Sequence, residues 1–159
     1  MLLQYRQATT FDVPGIAHLR ALRHGTEEGW TARILGYMNH TVHPQKALME
    51  RIVYVAMEGE TVAGFIAGHL THRYDCDGEL EWIDVDPEYR RAGVATALLK
   101  LLAAWFVERG AARVCIDVDP ANAPAQSFYR RYGAVNLNEH WLVWDNIGLV
   151  MKRENNQNY

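Results

Sequence analysis

The chain has 159 residues, with 16 Lys and Arg against 19 Asp and Glu, so its formal charge is −3 with neutral His. Hydrophobic residues make up 49% and charged residues 22%, which excludes a disordered chain. The mild acidity excludes a broad basic face for nucleic acid. The length suits one domain, expected over residues 1–153, with residues 154–159 as a frayed polar tail. A domain of this size buries about 68–70% of the surface its unfolded chain exposes. The longest apolar helical face, near residues 94–109, is interrupted by Lys100 and Glu108, so no membrane span is expected. The N-terminus lacks the pattern of a signal peptide. Cys76 and Cys115 stand far apart and outside any CxxC or Cys/His zinc spacing, so neither a disulfide framework nor a metal is expected. A reducing cytoplasm is the expected compartment.

In chain order, Leu2–Ala8 reads as a strand. Asp12 caps a helix that carries Pro14 in its first turn and runs to about Arg23. A second helix is expected from Glu27 to about Asn39, and a third short one over Pro44–Arg51. Ile52–Met57 and Thr61–Leu70 read as the arms of a hairpin turning at Glu58-Gly59-Glu60. Asp75-Cys76-Asp77-Gly78 is a turn, Glu79–Val85 a strand, and Asp86-Pro87 its end. The clearest helix follows. Val94, Ala97, Leu98, Leu101, Leu102, Trp105 and Phe106 form an apolar stripe at helical period, stopped by Gly110. Arg113–Val118 is a short strand. Asn122 or Ala123 starts a helix with Ala125, Phe128, Tyr129 and Tyr132 on one face and Gly133 as its stop. Ala134–Leu137 and Trp141–Met151 close the chain as strands. The resulting order, β-α-α-β-β-β-α-β-α-β-β, gives an α/β class with a mixed sheet.

One stretch carries chemistry. Asp84-Val-Asp-Pro-Glu-Tyr-Arg-Arg-Ala-Gly-Val-Ala-Thr96 runs from a strand through a basic, glycine-bearing turn into the strongest helix. The first amides of a helix lack intrahelical acceptors, and the helix dipole is positive there. An anion such as phosphate is favoured at that place. Arg90 and Arg91 add charge, and Gly93 permits close backbone approach. Neither a Walker A sequence nor a G-x-G-x-x-G fingerprint is present.

Arg90-Arg-Ala-Gly93-Val-Ala95 resembles the Q/R-x-x-G-x-G/A pattern of the GNAT superfamily, the acyl-CoA-dependent N-acyltransferases. Asn122-Ala-Pro-Ala125-Gln-Ser-Phe128-Tyr129-Arg-Arg-Tyr-Gly133-Ala134 looks like that family's N-x-x-A-x-x-x-Y-x-x-x-G-F segment. The departures are Ala95, where Gly is usual, and Ala134, where Phe is usual. The resemblance covers residues 52–134 well. It implies a central mixed, mostly antiparallel sheet flanked by helices, and acetyl-CoA as acyl donor with no metal.

By the same resemblance, the backbone of Arg90, Arg91, Ala92, Gly93, Val94, Ala95 and Thr96 holds the coenzyme pyrophosphate. The pantetheine arm pairs with Ile83, Asp84 and Val85, where the family strand usually carries a bulge. Asn122 contacts pantetheine or serves as a plain helix cap, and Ser127 is a further contact. Tyr129 matches the general acid that protonates the leaving thiolate, although periodicity alone assigns it to the core. An amine is protonated at neutral pH and needs a base. Glu81 is the first choice for that base, and Glu79, on the same strand face by alternation, the second. Asp84 points the other way unless a bulge intervenes. A backbone N–H near Ile83–Val85 would stabilise the oxyanion. Cys115, mid-strand, reads as a buried small hydrophobe, and attack is direct.

The implied partner is a small-molecule or peptide amine. Specificity is expected from Thr26–His43 and Leu137–Ile147. There Trp30, Tyr37, His40, Trp141 and Trp144 form either aromatic walls or core. Asp75, Asp77, Glu79 and Glu81 would attract a cationic amine or simply be solvated. His69 and His72, with Asp75, Cys76 and Asp77, are not expected to bind metal. A homodimer, with Trp141 and Trp144 contributing, follows by analogy. The rival functions are a catalytically silent acyl-CoA-binding module and a protein or peptide N-terminal acetyltransferase.

Overall fold

The computed structural model describes residues 2–39 and 49–152. Its elements are β1 (Gln4–Gln7), α1 (Val13–Ala21), α2 (Glu27–Met38), β2 (Arg51–Glu58), β3 (Thr61–Leu70), β4 (Gly78–Val85) and α3 (Val94–Glu108). They continue with β5 (Val114–Asp117), α4 (Ala123–Arg131), β6 (Val135–Asn136) and β7 (Trp141–Trp144). The strands form one sheet in the order β1-β2-β3-β4-β5-β7-β6. All neighbours are antiparallel except β4 and β5, which run parallel. The parallel pair is the place where the chain must cross over, and α3 makes that crossing.

The inner strands of the sheet are buried on both faces, while β1 and β6 at its edges are largely exposed. On one face Ile16, Leu19, Trp30, Ile34 and Tyr37 of α1 and α2 pack on Val53, Val55, Phe65 and Trp82. On the other, Leu98, Leu102, Trp105 and Phe106 of α3 join Ile66, Leu80, Val114, Tyr129 and Trp144. A strand buried on two faces reads as a continuous apolar run, as 61–70 does. Each such fully buried side chain contributes about 1.5–3 kcal/mol relative to exposure. The buried face of α3 is centred on Val94, Leu98, Leu99, Leu102, Ala103 and Phe106, while Ala97 and Leu101 lie at its margin. The helix sits close to the sheet because two facing strand positions are glycine. A Cβ on Gly78 would stand 2.3 Å from Cε1 of Phe106, and one on Gly68 2.8 Å from Cδ1 of Leu102.

Several local expectations differ from the structure. Asp12 does not cap α1 with its side chain. Its carboxylate accepts the Thr9 N–H at 2.7 Å and two N–H groups of Arg6 at 2.7 and 2.9 Å, pinning β1 to the start of α1. The Thr26 hydroxyl does cap α2, accepting the Gly29 N–H. The strand expected over Trp141–Met151 ends at Trp144, and Ile147–Lys152 is a 3-10 turn that packs under α3. The short helix expected over Pro44–Arg51 lies largely outside the described residues, as does His40, and Arg51 already begins β2. Among the described residues no helix is long and apolar enough to cross a membrane.

Candidate active site

The pairing of β4 sets the geometry. Its register against β3 runs Ala67↔Trp82 and then Gly68↔Leu80, so Glu81 is an extra residue in β4. A bulge of this kind bends the strand and increases its twist. On the other edge β4 pairs with β5 only at Gly78↔Val114 and Glu79↔Cys115. Beyond Glu79 the two parallel strands part, and among the described residues no strand pairs with Leu80–Val85 on that side. The bulge therefore sits where the strands begin to diverge, slightly earlier than the expected Ile83–Val85. It also reassigns faces. Leu80, Ile83 and Val85 belong to the α3-side core, whereas Trp82 packs on the α1–α2 side.

The gap leads to the start of α3. Pro87–Tyr89 forms a single 3-10 turn, fixed by the Asp86 carboxylate accepting the Glu88 N–H. Arg91 and Gly93 both take left-handed backbone, with φ of 66° and 76°. Gly93 is the N-cap residue, and no side chain caps α3. The leading amides of a fifteen-residue helix are thus left without a side-chain acceptor. Arg90, Arg91 and Ala92 are exposed beside them. The Thr96 side chain is engaged elsewhere, its hydroxyl 2.7 Å from that of Tyr132, so only its backbone faces the turn chemistry. These features fit a diphosphate.

Tyr129 lies buried on α4, edge-on to Phe128 and Trp144. Burial pushes its phenol well above the ordinary value, opposed by Arg23 and Arg20 and assisted by the negative charge of Asp84. Of these three, Asp84 was a candidate from the sequence, whereas Arg20 and Arg23 were not. Asp84 is buried and accepts from the Arg20 guanidinium at 2.9 Å and from Nε of Arg23. With the bulge in place, Asp84 therefore shares the α1 side of β4. Arg20 also lies over the Trp30 ring, 4.5 Å from its centroid. Nothing in the spacing of Arg20 and Arg23 announces a partner more than sixty residues away.

Asn122 caps α4, its side-chain oxygen accepting the Ala125 N–H at 3.2 Å. Ser127 is exposed on the face of α4 turned from the core and lines an open cleft with Pro120, Gln126, Arg130 and Glu139. Cys115 is fully buried, and burial holds its thiol far above the usual range.

Glu79 and Glu81 are not solvated charges. Strand register places His69 of β3 opposite Glu79. His69 Nε2 lies 3.8 Å from Oε2 of Glu79, and Nδ1 lies 3.8 Å from Oε2 of Glu81. The Tyr37 hydroxyl stands 2.9 Å from Nδ1 of His69, and Nε of Arg73 lies 3.1 Å from Oε1 of Glu79. One ligand atom from each of His69, Glu79 and Glu81 falls within 4.8 Å of the other two. His69 is buried in β3, whereas His72 and Asp75 are exposed in the loop after the strand ends at Leu70.

The acidic run is likewise no patch. Asp77 is spent on the backbone, accepting the N–H groups of Ala112 and Arg113 at 2.9 Å each. Trp30, Tyr37, Trp141 and Trp144 are all buried, so they supply core rather than aromatic walls or an exposed dimer surface.

The family model described as acetyltransferase (GNAT) family matches residues 19–134. The chain belongs to the GNAT acetyltransferase family. It is 29% identical over 86 residues to an aminoglycoside N(6′)-acetyltransferase type 1 of Salmonella typhimurium, a match covering 50% of this chain and 59% of that protein. The chain thus spans little more than half the length of the curated relatives it matches. A GNAT-family acetyltransferase structure from Desulfovibrio desulfuricans shares the fold with a TM-score of 0.71 at 17% identity, over 90% of this chain and 97% of that one. The PaiA N-acetyltransferase of Thermoplasma acidophilum, solved in complex with coenzyme A, shares it with a TM-score of 0.69 at 18% identity, over 92% and 99%. The mixed, mostly antiparallel sheet flanked by helices is therefore the GNAT fold.

Proposed function

We propose that this chain transfers the acetyl group of acetyl-CoA to an amine of a small molecule or peptide, by direct attack and without an acyl-enzyme. The observation that carries this reading is the parting of β4 from β5, which ends at a helix start whose amides no side chain caps. The diphosphate would rest on the backbone of Arg90–Thr96 beside the two exposed guanidiniums. The freed edge of β4 at Ile83–Val85 would pair with the pantetheine arm and offer an N–H to the oxyanion. Asn122 and Ser127, at and near the start of α4, are the remaining coenzyme contacts in this reading.

Acetyl-CoA supplies an activated thioester. The protein aims it and manages protons. Tyr129 stays protonated at neutral pH because burial disfavours its anion. It acts as a hydrogen-bond donor to the sulfur as negative charge develops there. Full proton transfer to a thiolate whose conjugate acid is far stronger than this phenol is unfavourable. Glu81, with Glu79 behind it, removes the proton from the acceptor ammonium. Cys115 is no nucleophile, since its thiol is buried and held protonated.

Thiol release from acetyl-CoA tests the proposal, measured with kanamycin, spermidine and an alanine-initiated peptide as acceptors. The aminoglycoside comes first because a relative of matching sequence bears that activity in its name. Amine-dependent release supports acetyl transfer. Tight acetyl-CoA binding with no release for any acceptor would favour a silent binding module.

A further inference from the structure

A buried cluster of titratable groups stands on the α2 side of the β3–β4 hairpin, and packing alone does not require it. Its members come from four places in the fold: Tyr37 on α2, His69 on β3, Arg73 in the loop after it, and Glu79 and Glu81 on β4. Arg51 of β2 adds a guanidinium 4.8 Å from the Tyr37 ring centre and donates to the Tyr37 carbonyl at 3.3 Å. Side-chain exposure is 1% for His69, 5% for Glu79 and 11% for Glu81. Glu81, raised by the bulge, is therefore the member of the three closest to solvent, and His69 lies between it and Glu79.

We propose that His69 is a positioning residue for the acceptor base, sharing with Glu81 the proton that the acceptor ammonium gives up. This deepens the acetyl-transfer reading and rests on it. Tyr37 is kept protonated by burial first, then by the charges of Glu81 and Glu79, against the pull of Arg51. In the tautomer with its hydrogen on Nε2, facing Glu79, Nδ1 of His69 accepts the Tyr37 O–H. When the acceptor's N–H bond breaks, the electron pair stays on nitrogen and the proton passes to Oε2 of Glu81. His69 takes a share at Nδ1 once Oε2 of Glu81 closes from 3.8 Å to hydrogen-bond distance and the Tyr37 hydroxyl turns its hydrogen away from Nδ1. The resulting imidazolium is flanked by two carboxylates, which favours it. The amine then attacks the thioester carbonyl, the C–S bond breaks, and the second amine proton goes to the sulfur. The sum is an amide, a free thiol and one proton released through the cluster. The same three side chains offer ligand atoms to a cation. Yet the Tyr37 hydroxyl already occupies Nδ1, and Arg73 already neutralises Glu79, so a shared proton suits the site better.

Two measurements decide it. The first is the pH profile of kcat and KM for His69→Gln with kanamycin, spermidine or the alanine-initiated peptide. At pH 7 kcat should fall by about 10–100-fold. By about pH 9.5, where the free amine is already abundant, it should approach wild type, and KM for acetyl-CoA should stay unchanged. An equal loss at every pH, or no loss, overturns the proposal. So does a rate abolished by chelator and restored by zinc, which would mean a cation holds these side chains. The second is an NMR titration of the His69 imidazole in the intact chain, assigned by its absence in His69→Gln. Coupling to Glu81 requires its midpoint to move by about one pH unit or more in Glu81→Gln. An unmoved midpoint refutes the coupling whether or not His69→Gln folds. If wild type acetylates none of the three amines, the acetyl-transfer reading fails with them, and the titration alone then decides whether the proton is shared.

Discussion

At the scale of residues, the site is made by burial acting on ordinary side chains. The Tyr129 phenol is held protonated because a phenolate would be desolvated, and the Arg20–Asp84–Arg23 cluster supplies fixed charge nearby. A donor that is never ionised near neutrality can stabilise a developing thiolate without a pH limb of its own. Tyr129→Phe keeps the ring packing against Trp144 and removes only the hydroxyl. It should lower kcat by about 10²-fold while leaving KM for acetyl-CoA near its wild-type value, as read by thiol release. An unchanged kcat would mean the hydroxyl has no part in departure of the sulfur. The position of Tyr129 in its motif was legible in the sequence. Its charged neighbours were not, because Asp84 meets Arg20 and Arg23 only through tertiary packing of α1 on β4. The cluster around His69 was half legible. The strands β3 and β4 were legible, but neither the register that sets His69 opposite Glu79 across residues 71–77 nor the bulge that admits Glu81 leaves a mark in composition or periodicity.

At the scale of elements, two joints hold the frame that positions the site. The first is the seat of α3 on the sheet. Gly78→Ala would push a methyl group to within 2.3 Å of the fully buried ring of Phe106. Overpacking of this kind costs about 1–3 kcal/mol, and the midpoint of urea unfolding should fall accordingly. A variant as stable as wild type would show that the β4–α3 contact is looser than described. The second joint is the Arg6–Asp12 pair between β1 and α1. Bonds from Arg6, assisted by the Thr9 N–H, hold the Asp12 carboxyl below its ordinary value against the opposing effect of burial. Its stabilising effect is complete above the unfolded-state value of about 3.9 and is lost as pH falls through the lower folded-state value. Asp12→Asn should therefore be less stable than wild type at pH 7, and that gap should close in acid. A gap that persists below both values would assign the effect to something other than charge. The sequence shows Asp12 as a helix cap; only the fold reveals that Arg6, one strand earlier, claims it.

At the scale of the whole molecule, the order of elements was legible because each carries its own period: 3.6 in α3, and an apolar run in the doubly buried β3. What the period cannot encode is where two paired strands separate. That depends on one extra residue at Glu81 and on where β5 ceases to follow β4, both products of long-range register. Coenzyme binding depends on that separation and on the uncapped start of α3 beyond it. A crystal structure of the chain with coenzyme A tests it most directly. The expected result is diphosphate oxygens on the amides of the Arg90–Thr96 turn, the pantetheine arm along Ile83–Val85, and the sulfur beside the Tyr129 hydroxyl. A coenzyme bound elsewhere, or β4 and β5 closed together with the turn empty under saturating coenzyme, would contradict it.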